Sequence, residues 1–286
     1  MEPILQIKDL TKKYKNFTLD HVSMEIPQGM IYGLVGENGA GKTTTISAIL
    51  NMVEKNEGTI TVFGRDYEQA EREIKQDIGV VIDGLGPYSG YYVKDIHPIM
   101  KKIYENWDRD LFFGYLDSFK LPLDKKIKDL SKGMSVKLNF AIALSHHPRL
   151  LILDEATSGL DPVMRDEILS LLQEFVLDGT NSVLLSTHIT SDLDKIADYV
   201  MLLHEGKVMF VKTKEELDVD FGILHCGKDM FNALSDEDIV YYIKEEFEYR
   251  VLIQNKRELR ASIRDLAIDR ASIEDIMLFY IRGKKR

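Results

Sequence analysis

The sequence predicts an α/β fold with a mixed, largely parallel sheet, an N-terminal β subdomain, an inserted helical subdomain and a small α+β C-terminal appendix. Three observations lead to this prediction. An apolar run at 30–35 leads through a glycine-rich loop into a helical pattern. Strand-like runs then alternate with helical segments, which is typical of parallel sheets covered on both faces. Residues 84–147 show helical spacing alone, which indicates an insertion into the sheet.

The N-terminal part alternates apolar and polar residues as half-buried strands do. Ile4–Ile7 and Thr18–Ile26 show this pattern, and a Pro-Gln-Gly turn follows at 27–29. Met30–Val35 is a continuous apolar run, which indicates a strand buried on both faces, and a helix is predicted from Lys42. The same criteria predict later strands at Gly58–Phe63, Ile78–Ile82, Leu150–Leu153, Ser182–Ser186 and Tyr199–Leu203. Two helices are predicted, Pro162–Val176 and Thr190–Ala197, and they separate the last three of these strands.

A domain boundary is predicted within 211–220, so that residues 1–215 form the main domain and residues 216–286 form an accessory α+β domain. The last helix is predicted to begin after Ser272, because serine is a favoured N-cap and an acidic residue follows three positions later. That helix then places apolar residues on one face: Ile273, Ile276, Met277 and Tyr280.

The composition is that of a soluble globular protein, with 44% hydrophobic and 29% charged residues among 286. A formal net charge of −10 argues against general nucleic-acid binding, because neutralising phosphates requires clustered lysine and arginine. The single cysteine, Cys226, excludes an internal disulfide and favours a reducing compartment. No run approaches the roughly 18 apolar residues of a transmembrane helix, so contact with a membrane is expected to require a partner.

Residues 36–43 match the phosphate-binding pattern G-x-x-x-x-G-K-[ST], between a predicted strand and a predicted helix. Its glycines allow successive backbone N–H groups to turn towards an anion, and the helix N-terminus adds its positive dipole end. Lys42 is expected to reach the β- and γ-phosphates, and the Thr43 hydroxyl to ligate Mg²⁺. The sequence therefore predicts a nucleoside triphosphate site formed by Gly36, Glu37, Asn38, Gly39, Ala40, Gly41, Lys42, Thr43 and Thr44.

Two acidic residues directly follow the predicted strand Leu150–Leu153. This strand should deliver them to the carboxyl edge of the sheet, where Asp154 is expected to join Thr43 in the Mg²⁺ shell. Glu155 lies one residue further along and is predicted to polarise the attacking water. The alternative is that the two carboxylates cap the next helix.

A short motif ahead of this acidic strand indicates which kind of phosphate-loop protein this is. A helix is predicted to follow the run Leu130-Ser131-Lys132-Gly133-Met134. The run resembles the Leu-Ser-Gly-Gly-Gln signature of the nucleotide-binding subunits of ABC (ATP-binding cassette) transporters, with Lys132 and Met134 as departures. Two further runs resemble the D-loop and the switch-histidine segment of the family: Ser158-Gly159-Leu160-Asp161 and Leu184-Leu185-Ser186-Thr187-His188. The resemblance covers roughly residues 2–215 and implies the phosphate-loop NTPase fold of an ABC cassette.

At two positions of this resemblance, Tyr14 and Asp83, the sequence allows more than one assignment of function. Tyr14 matches the aromatic residue that stacks on adenine in the family, and neighbouring Phe17 is the alternative stacking residue. Asp83 stands where the family usually has a glutamine that contacts Mg²⁺ and the attacking water. A carboxylate can accept the metal or its water but cannot donate a hydrogen bond, so Asp83 is either such a contact or a loop-capping carboxylate.

The resemblance implies an ATPase that works as a pair of cassettes, with ATP and Mg²⁺ as cofactors. Ser131–Met134 is expected to contact the γ-phosphate of ATP on a second cassette, identical or related, because this segment lies too far from its own phosphate loop. Glu155 is expected to act as general base or water-positioner, and His188 to contact the γ-phosphate. Asp161 is expected to couple the two sites across the interface.

The resemblance also implies a separate transmembrane permease that holds the chain at the cytoplasmic face of the cell membrane. Docking is expected around 86–98 of the helical insertion, where Tyr88, Tyr91, Tyr92 and Val93 either line a partner groove or pack internally. The Ser-Lys-Gly-Met form of the signature at 131–134 and the last predicted helix resemble those of exporters of drugs, antibiotics or peptides. This resemblance favours export over uptake. The cargo stays open among peptide, antibiotic, lipid and polymer.

Two other classes of protein are alternatives. A soluble ABC ATPase acting on nucleic acid or the ribosome usually contains two cassettes or a long coiled coil, whereas this chain has one cassette and a net negative charge. No nucleic-acid partner is therefore expected. A regulatory module that binds ATP without turnover would not need both Glu155 and His188.

Overall fold

The computed structural model describes residues 2–82, 84–262 and 267–286. Its strands are β1 Leu5–Lys13, β2 Thr18–Ile26, β3 Ile31–Val35, β4 Glu57–Val62, β5 Arg65–Asp66, β6 Ile78–Val81, β7 Leu150–Asp154, β8 Ser182–Thr187, β9 Tyr199–His204, β10 Lys207–Thr213, β11 Gly222–Cys226, β12 Ile239–Lys244, β13 Tyr249–Ile253 and β14 Ile268–Arg270. Its helices are α1 Lys42–Ile49, α2 Glu71–Gln76, α3 Ile96–Met100, α4 Arg109–Ser118, α5 Lys132–Leu144, α6 Pro162–Val176, α7 Thr190–Ile196, α8 Lys214–Asp220, α9 Lys228–Ala233, α10 Lys256–Ser262 and α11 Ile273–Arg282. Within the described ranges, none of these helices is both long and apolar enough to cross a bilayer.

The central sheet has the strand order β10-β9-β3-β8-β7-β6. Strand β10 is antiparallel to β9, and the other five strands are parallel to one another. Every residue of β3 and β8 is buried, as expected for strands in the middle of a covered parallel sheet. Val35 of β3 pairs with Thr187 of β8, and Asp154 of β7 pairs with Ser186. The carboxyl ends of these three neighbouring strands are therefore level, so the loops that follow them meet.

Helices cover both faces of this sheet because alternate residues of each strand point to opposite sides. Ile152 of β7 shares a buried cluster with Ile49 of α1. Leu151, its neighbour in the same strand, belongs to a second cluster with Phe140 of α5 and Leu172 of α6. An antiparallel sheet of order β2-β1-β4-β5 forms the N-terminal β subdomain and packs into the first cluster. The predicted fold class is confirmed.

The helical insertion has a core of its own, to which Val93, Phe112 and Leu138 contribute. Helix α5 belongs to both parts of the molecule, since Leu138 packs in the insertion and Phe140 packs against the sheet. The start of α5, which carries the signature motif, is therefore held in a defined position relative to the sheet. Within its described residues the insertion contains no strand, although Tyr92 and Lys126 form an isolated bridge.

The C-terminal part adds an antiparallel sheet of order β12-β13-β11-β14 with a small buried cluster that includes Phe231 and Val251. Helix α11 begins with the predicted Ser272 cap, in which Ser272 Oγ accepts the Asp275 N–H at 3.1 Å. Phe279 of α11 packs into the same cluster as the helices of the central sheet, however. The accessory part therefore contributes to the main core, and the division at 215/216 stays a prediction.

Candidate active site

A cleft of about 650 Å³ opens at the carboxyl edge of the central sheet. Because β8 lies between β3 and β7, His188, which directly follows β8, stands between the phosphate loop and the acidic pair. The cleft is lined by predicted residues from four separate segments: Asn38, Gly39, Gly41, Lys42, Thr43, Thr44, Lys132, Glu155 and His188. Asn16, Phe17 and Ser158 line it as well. The fold thus gathers residues that are up to 172 positions apart, from Asn16 to His188, around one cavity.

The loop between β3 and α1 has the backbone of an anion-binding turn. Gly39 and Gly41 have φ values of +84° and +113°, a region that side chains rarely tolerate. A Cβ at Gly39 would meet nothing within 4 Å, so this residue opens onto free space. The loop and the N-terminus of α1 together provide backbone N–H groups suited to phosphate oxygens.

Lys42 links the phosphate loop to the acidic pair. Its side chain is 6% exposed, and Nζ donates to the carbonyl oxygens of Gly36 at 2.8 Å and Glu37 at 3.2 Å. The same Nζ lies 3.5 Å from Oε1 of Glu155. The lysine charge is therefore held inside the loop on the side of Glu155, where the terminal phosphates of a bound nucleotide would lie.

Glu155 has an unusual backbone conformation, with φ of +52°. Non-glycine residues rarely adopt this left-handed region, and where they do the position is often functional. The Glu155 N–H donates to the Ser186 carbonyl at 3.0 Å, which joins the end of β7 to β8. Oε2 lies 2.5 Å from Nδ1 of His188, so the two carboxylate oxygens face Lys42 and His188 respectively. The carboxylate bridges the phosphate loop and the switch histidine.

The residues predicted to ligate Mg²⁺ provide a suitable donor set. Oδ1 of Asp154 is buried and has no hydrogen-bond partner among the described residues. The exposed Thr43 supplies a hydroxyl at the start of α1. Mg²⁺ prefers oxygen donors and usually takes one or two from the protein, with phosphates and water completing the shell. The pair fits such a site. The third predicted ligand, Asp83, lies outside the described residues.

The aromatic residue that borders the cleft is Phe17. A Cβ at Gly41 would lie 3.0 Å from Phe17 Cζ, so this ring packs directly against the phosphate loop. Tyr14 is 45% exposed and its ring centroid lies 6.4 Å from that of Phe17, outside the set of residues that line the cleft. The geometry thus favours the alternative residue over Tyr14 for base stacking.

The signature motif and the D-loop both form helix N-termini. The Ser131 hydroxyl caps α5 by accepting the Met134 N–H at 3.3 Å. Asp161 caps α6 by accepting the N–H groups of Val163 at 3.1 Å and Met164 at 3.0 Å. Gly133 lets these two helix starts approach, since a Cβ there would lie 2.5 Å from the Met164 sulfur. Ser131 and Asp161 are both exposed, so each helix tip faces outward.

Lys132 departs from the expectation that the signature segment lies too far from its own phosphate loop. Its side chain lines the same cleft as Lys42 and Glu155. The ammonium lies beside the D-loop, where a Cβ at Gly159 would come within 2.9 Å of Nζ. Lys132 is therefore the one residue of 131–134 that borders the cleft of its own chain. Ser131, Gly133 and Met134 are not among the residues that line the cleft.

Comparisons with known proteins identify the family of this chain. A family model described as ABC transporter matches residues 19–158. The chain is 32% identical to the bacitracin transport ATP-binding protein BcrA of Bacillus licheniformis, over 86% of this chain and 80% of that protein. It is 33% identical to the lantibiotic transport ATP-binding protein SrtF of Streptococcus pyogenes, over 73% of this chain and 90% of that one. A solved ATP binding subunit of an ABC transporter matches with a TM-score of 0.67 and 26% identity, over 75% of this chain and 91% of that one. The chain belongs to the ABC transporter family and is an ATPase that powers transport.

Proposed function

We propose that this chain hydrolyses Mg²⁺-ATP to power the export of a peptide-like antibiotic through a separate membrane permease. The observation that carries the proposal is the chain of contacts from Lys42 through Glu155 to His188 in the cleft. The relatives named for bacitracin and lantibiotic transport support the cargo class. An ATPase acting on nucleic acid is less favoured, because these relatives are transport subunits and the net charge is −10.

The proposed chemistry follows from the positions of the side chains. The loop N–H groups and Lys42 bind the phosphates and offset their charge where it increases in the transition state. Glu155 orients the attacking water and draws its proton, and His188, which contacts the Glu155 carboxylate through Nδ1, would contact the γ-phosphate with its other ring nitrogen. Mg²⁺, held by Thr43 and Asp154, would neutralise charge on the β- and γ-phosphate oxygens.

A second cassette is proposed to complete each site. At the tip of α5 the Ser131 hydroxyl caps the Met134 N–H, and the other N–H groups of the first turn, which lack partners within the helix, suit a γ-phosphate offered by another copy. Asp161 lies at the neighbouring exposed tip of α6 and would meet the partner next to it.

The permease is proposed to dock on the helical insertion, which would hold the chain at the cytoplasmic face of the membrane. A groove of about 590 Å³ there is lined mainly by apolar atoms of Tyr91, Ile99 and Ile103. Tyr91 and Ile103 are each 48% exposed, so both can contact a partner. Val93 is not part of the proposed docking surface, because it takes the other alternative and packs fully buried in the core of the insertion.

Steady-state ATP hydrolysis under matched conditions tests the proposed function. We expect the highest rate when the chain is reconstituted with its co-purifying membrane protein and a peptide antibiotic, with Lys42→Ala as the inactive control. Stimulation by ribosomes or RNA but not by the permease would support the nucleic-acid alternative. ATP binding without measurable hydrolysis in any of these settings would support a regulatory module instead.

A further inference from the structure

A chain of ionic contacts joins the accessory part of the molecule to α7, the helix that follows the switch histidine. Its central residue is Lys214 at the start of α8, whose side chain is only 14% exposed. Lys214 Nζ lies 2.6 Å from both carboxylate oxygens of Asp218 and 3.6 Å from Oδ1 of Asp194. Asp194 belongs to α7, so this one ammonium group connects α8 to α7.

The other end of this chain of contacts lies in the C-terminal sheet. Asp218 Oδ1 also accepts a hydrogen bond from Arg270 Nη2 of β14 at 2.9 Å. Ile273, the first residue of α11, donates its backbone N–H to Asp194 Oδ1 at 3.5 Å. Two routes, one through Lys214 and one through Ile273, therefore lead from the accessory part to the same carboxylate of α7.

Helix α7 depends on contacts of this kind because it is short. It has seven residues, and a helix of this length has little stability of its own. Its N-cap residue is Ile189, which has no side-chain oxygen to cap the helix. Leu193 of α7 is buried in the same cluster as Ile276 and Phe279, and α11 packs against α7. The elements around α7 therefore set its position, and the accessory part supplies several of the contacts.

The position of α7 matters for catalysis because His188 lies two residues before it. The ring is 46% exposed, and its Nδ1 lies 2.5 Å from Oε2 of Glu155. An exposed contact contributes little to holding a side chain in place, whereas a misplacement of about 1 Å can cost on the order of 10²-fold in rate. Support for the ring then comes from the backbone on either side, which is β8 before it and α7 after it.

We propose that Lys214 is a positioning residue for ATP hydrolysis. By holding Asp194 to the accessory part it fixes α7, and α7 in turn keeps His188 against Glu155. The accessory part then acts on the rate of the chemical step and not on nucleotide binding, because the contacts that form this chain do not involve the phosphate loop. The proposal rests on the proposed role of His188 in hydrolysis.

Removal of the charge at position 214 should lower kcat and leave binding unchanged. In Lys214→Met, we expect kcat for ATP hydrolysis to fall about tenfold, because a loosened α7 lets His188 leave the position that hydrolysis requires. ATP affinity should stay within about twofold of the parent, since neither Lys214 nor Asp194 is among the described residues that line the cleft. Lys214→Arg should keep kcat within about threefold of the parent, because a guanidinium group retains the charge and can contact both carboxylates.

A matched control is an exposed lysine of α7 itself. Lys195 pairs with Asp166 of α6 at 3.0 Å, and both side chains are at least 60% exposed. Lys195→Met is the same chemical change on the helix that the proposal concerns. It should leave kcat within about twofold of the parent, because exposed ion pairs contribute little.

A second background separates positioning from a general loss of stability. His188→Ala should lower kcat by itself, since the ring that contacts Glu155 is removed. If Lys214 acts through His188, adding Lys214→Met to His188→Ala should lower kcat by less than about twofold more. A purely structural role of Lys214 would instead reduce kcat by the same factor in both backgrounds.

The experiment measures kcat, KM and equilibrium ATP affinity of the full chain with its co-purifying membrane protein, and thermal unfolding checks the folding of each variant. A kcat for Lys214→Met within about twofold of the parent overturns the proposal, and so does a fall in ATP affinity that matches the fall in kcat. An equal loss of kcat from Lys214→Met with and without His188 overturns it as well.

Two further variants complete the test. If Lys214→Met does not fold, Asp194→Asn replaces it, because this change removes the ion pair and keeps an oxygen that can accept from the Ile273 N–H. An unchanged kcat in Asp194→Asn would then overturn the positioning role. A normal kcat in His188→Ala would overturn the role of His188 and this proposal with it, whereas failure of the Lys214 prediction alone leaves the role of His188 intact.

Discussion

At the scale of single residues, the site depends on how three charged or ionisable side chains divide their contacts. Lys42 is held by carbonyl oxygens of its own loop and lies 3.5 Å from Glu155. Glu155 in turn contacts His188 at 2.5 Å. Lys42 belongs to the phosphate loop, whereas Glu155 and His188 are proposed to act on the attacking water. Substitutions should therefore affect ATP binding and ATP hydrolysis separately.

Replacing Lys42 tests the binding half. Lys42→Ala should weaken ATP binding by about 1.5–3 kcal/mol for each charged hydrogen bond that is lost. Equilibrium binding of a fluorescent ATP analogue measures this change. Lys75→Ala is a suitable control, since Lys75 lies on α2 in an exposed pair with Glu71. Equal ATP affinity in parent and Lys42→Ala would contradict the assignment of the loop.

Replacing the two N-terminal aromatic residues tests which one stacks on the base. Phe17→Ala should weaken ATP binding by about 1–3 kcal/mol, the usual contribution of base stacking on an aromatic ring. Tyr14→Ala should have a smaller effect, because Tyr14 does not line the cleft. Binding of inorganic triphosphate, which has no base, should be unchanged in both variants. A larger loss with Tyr14→Ala would restore the assignment made from the sequence.

The sequence predicts at which edge of the sheet the phosphate loop, the acidic pair and His188 lie, because each follows a buried strand. Met30–Val35 and Leu150–Leu153 are apolar throughout, so their ends locate the phosphate loop and the acidic pair. The sequence does not predict the left-handed backbone of Glu155 or the path of the Lys132 side chain. Both depend on how separate segments pack in three dimensions, which no local pattern records.

At the scale of secondary-structure elements, α11 joins the accessory part to the main core. Phe279 is 1% exposed and packs in the cluster that includes helices of the central sheet. Its predicted N-cap and apolar face are present, because a capping box and 3.6-residue periodicity are local signals. The tertiary partner of that face could not be predicted, since periodicity shows only that a face is buried.

Truncation of a side chain on α11 should therefore destabilise the chain. Phe279→Ala is expected to lower the free energy of unfolding by about 3–5 kcal/mol, as buried phenylalanine substitutions do. Phe247→Ala is the control, because Phe247 is 89% exposed and its loss should change stability by no more than about 0.5 kcal/mol. Denaturant unfolding measures both values. Equal effects would show that α11 does not contribute to the core.

At the scale of the whole molecule, the exposed tips of α5 and α6 indicate how two cassettes would combine. The cleft already contains the phosphate loop, Glu155 and His188, but Ser131 and Met134 lie outside it. ATP bound in one cleft would therefore join two copies, and hydrolysis would weaken that contact. Ser131, Gly133 and Met134, unlike Lys132, do not line their own cleft, as the proposed shared site requires.

The most direct test of this account is the mass of the Glu155→Gln protein in sedimentation, with and without Mg²⁺-ATP. This substitution should lower hydrolysis on the order of 10²–10⁴-fold while ATP binding is retained, so that the ATP-bound state persists. We expect the mass to double when ATP is added, either for the protein alone or for the protein mixed with a sister cassette. In the double variant that also carries Lys42→Ala, the mass should stay that of a single chain. A Glu155→Gln protein that hydrolyses ATP at the parent rate, or that binds ATP and stays strictly monomeric in both settings, would contradict the account.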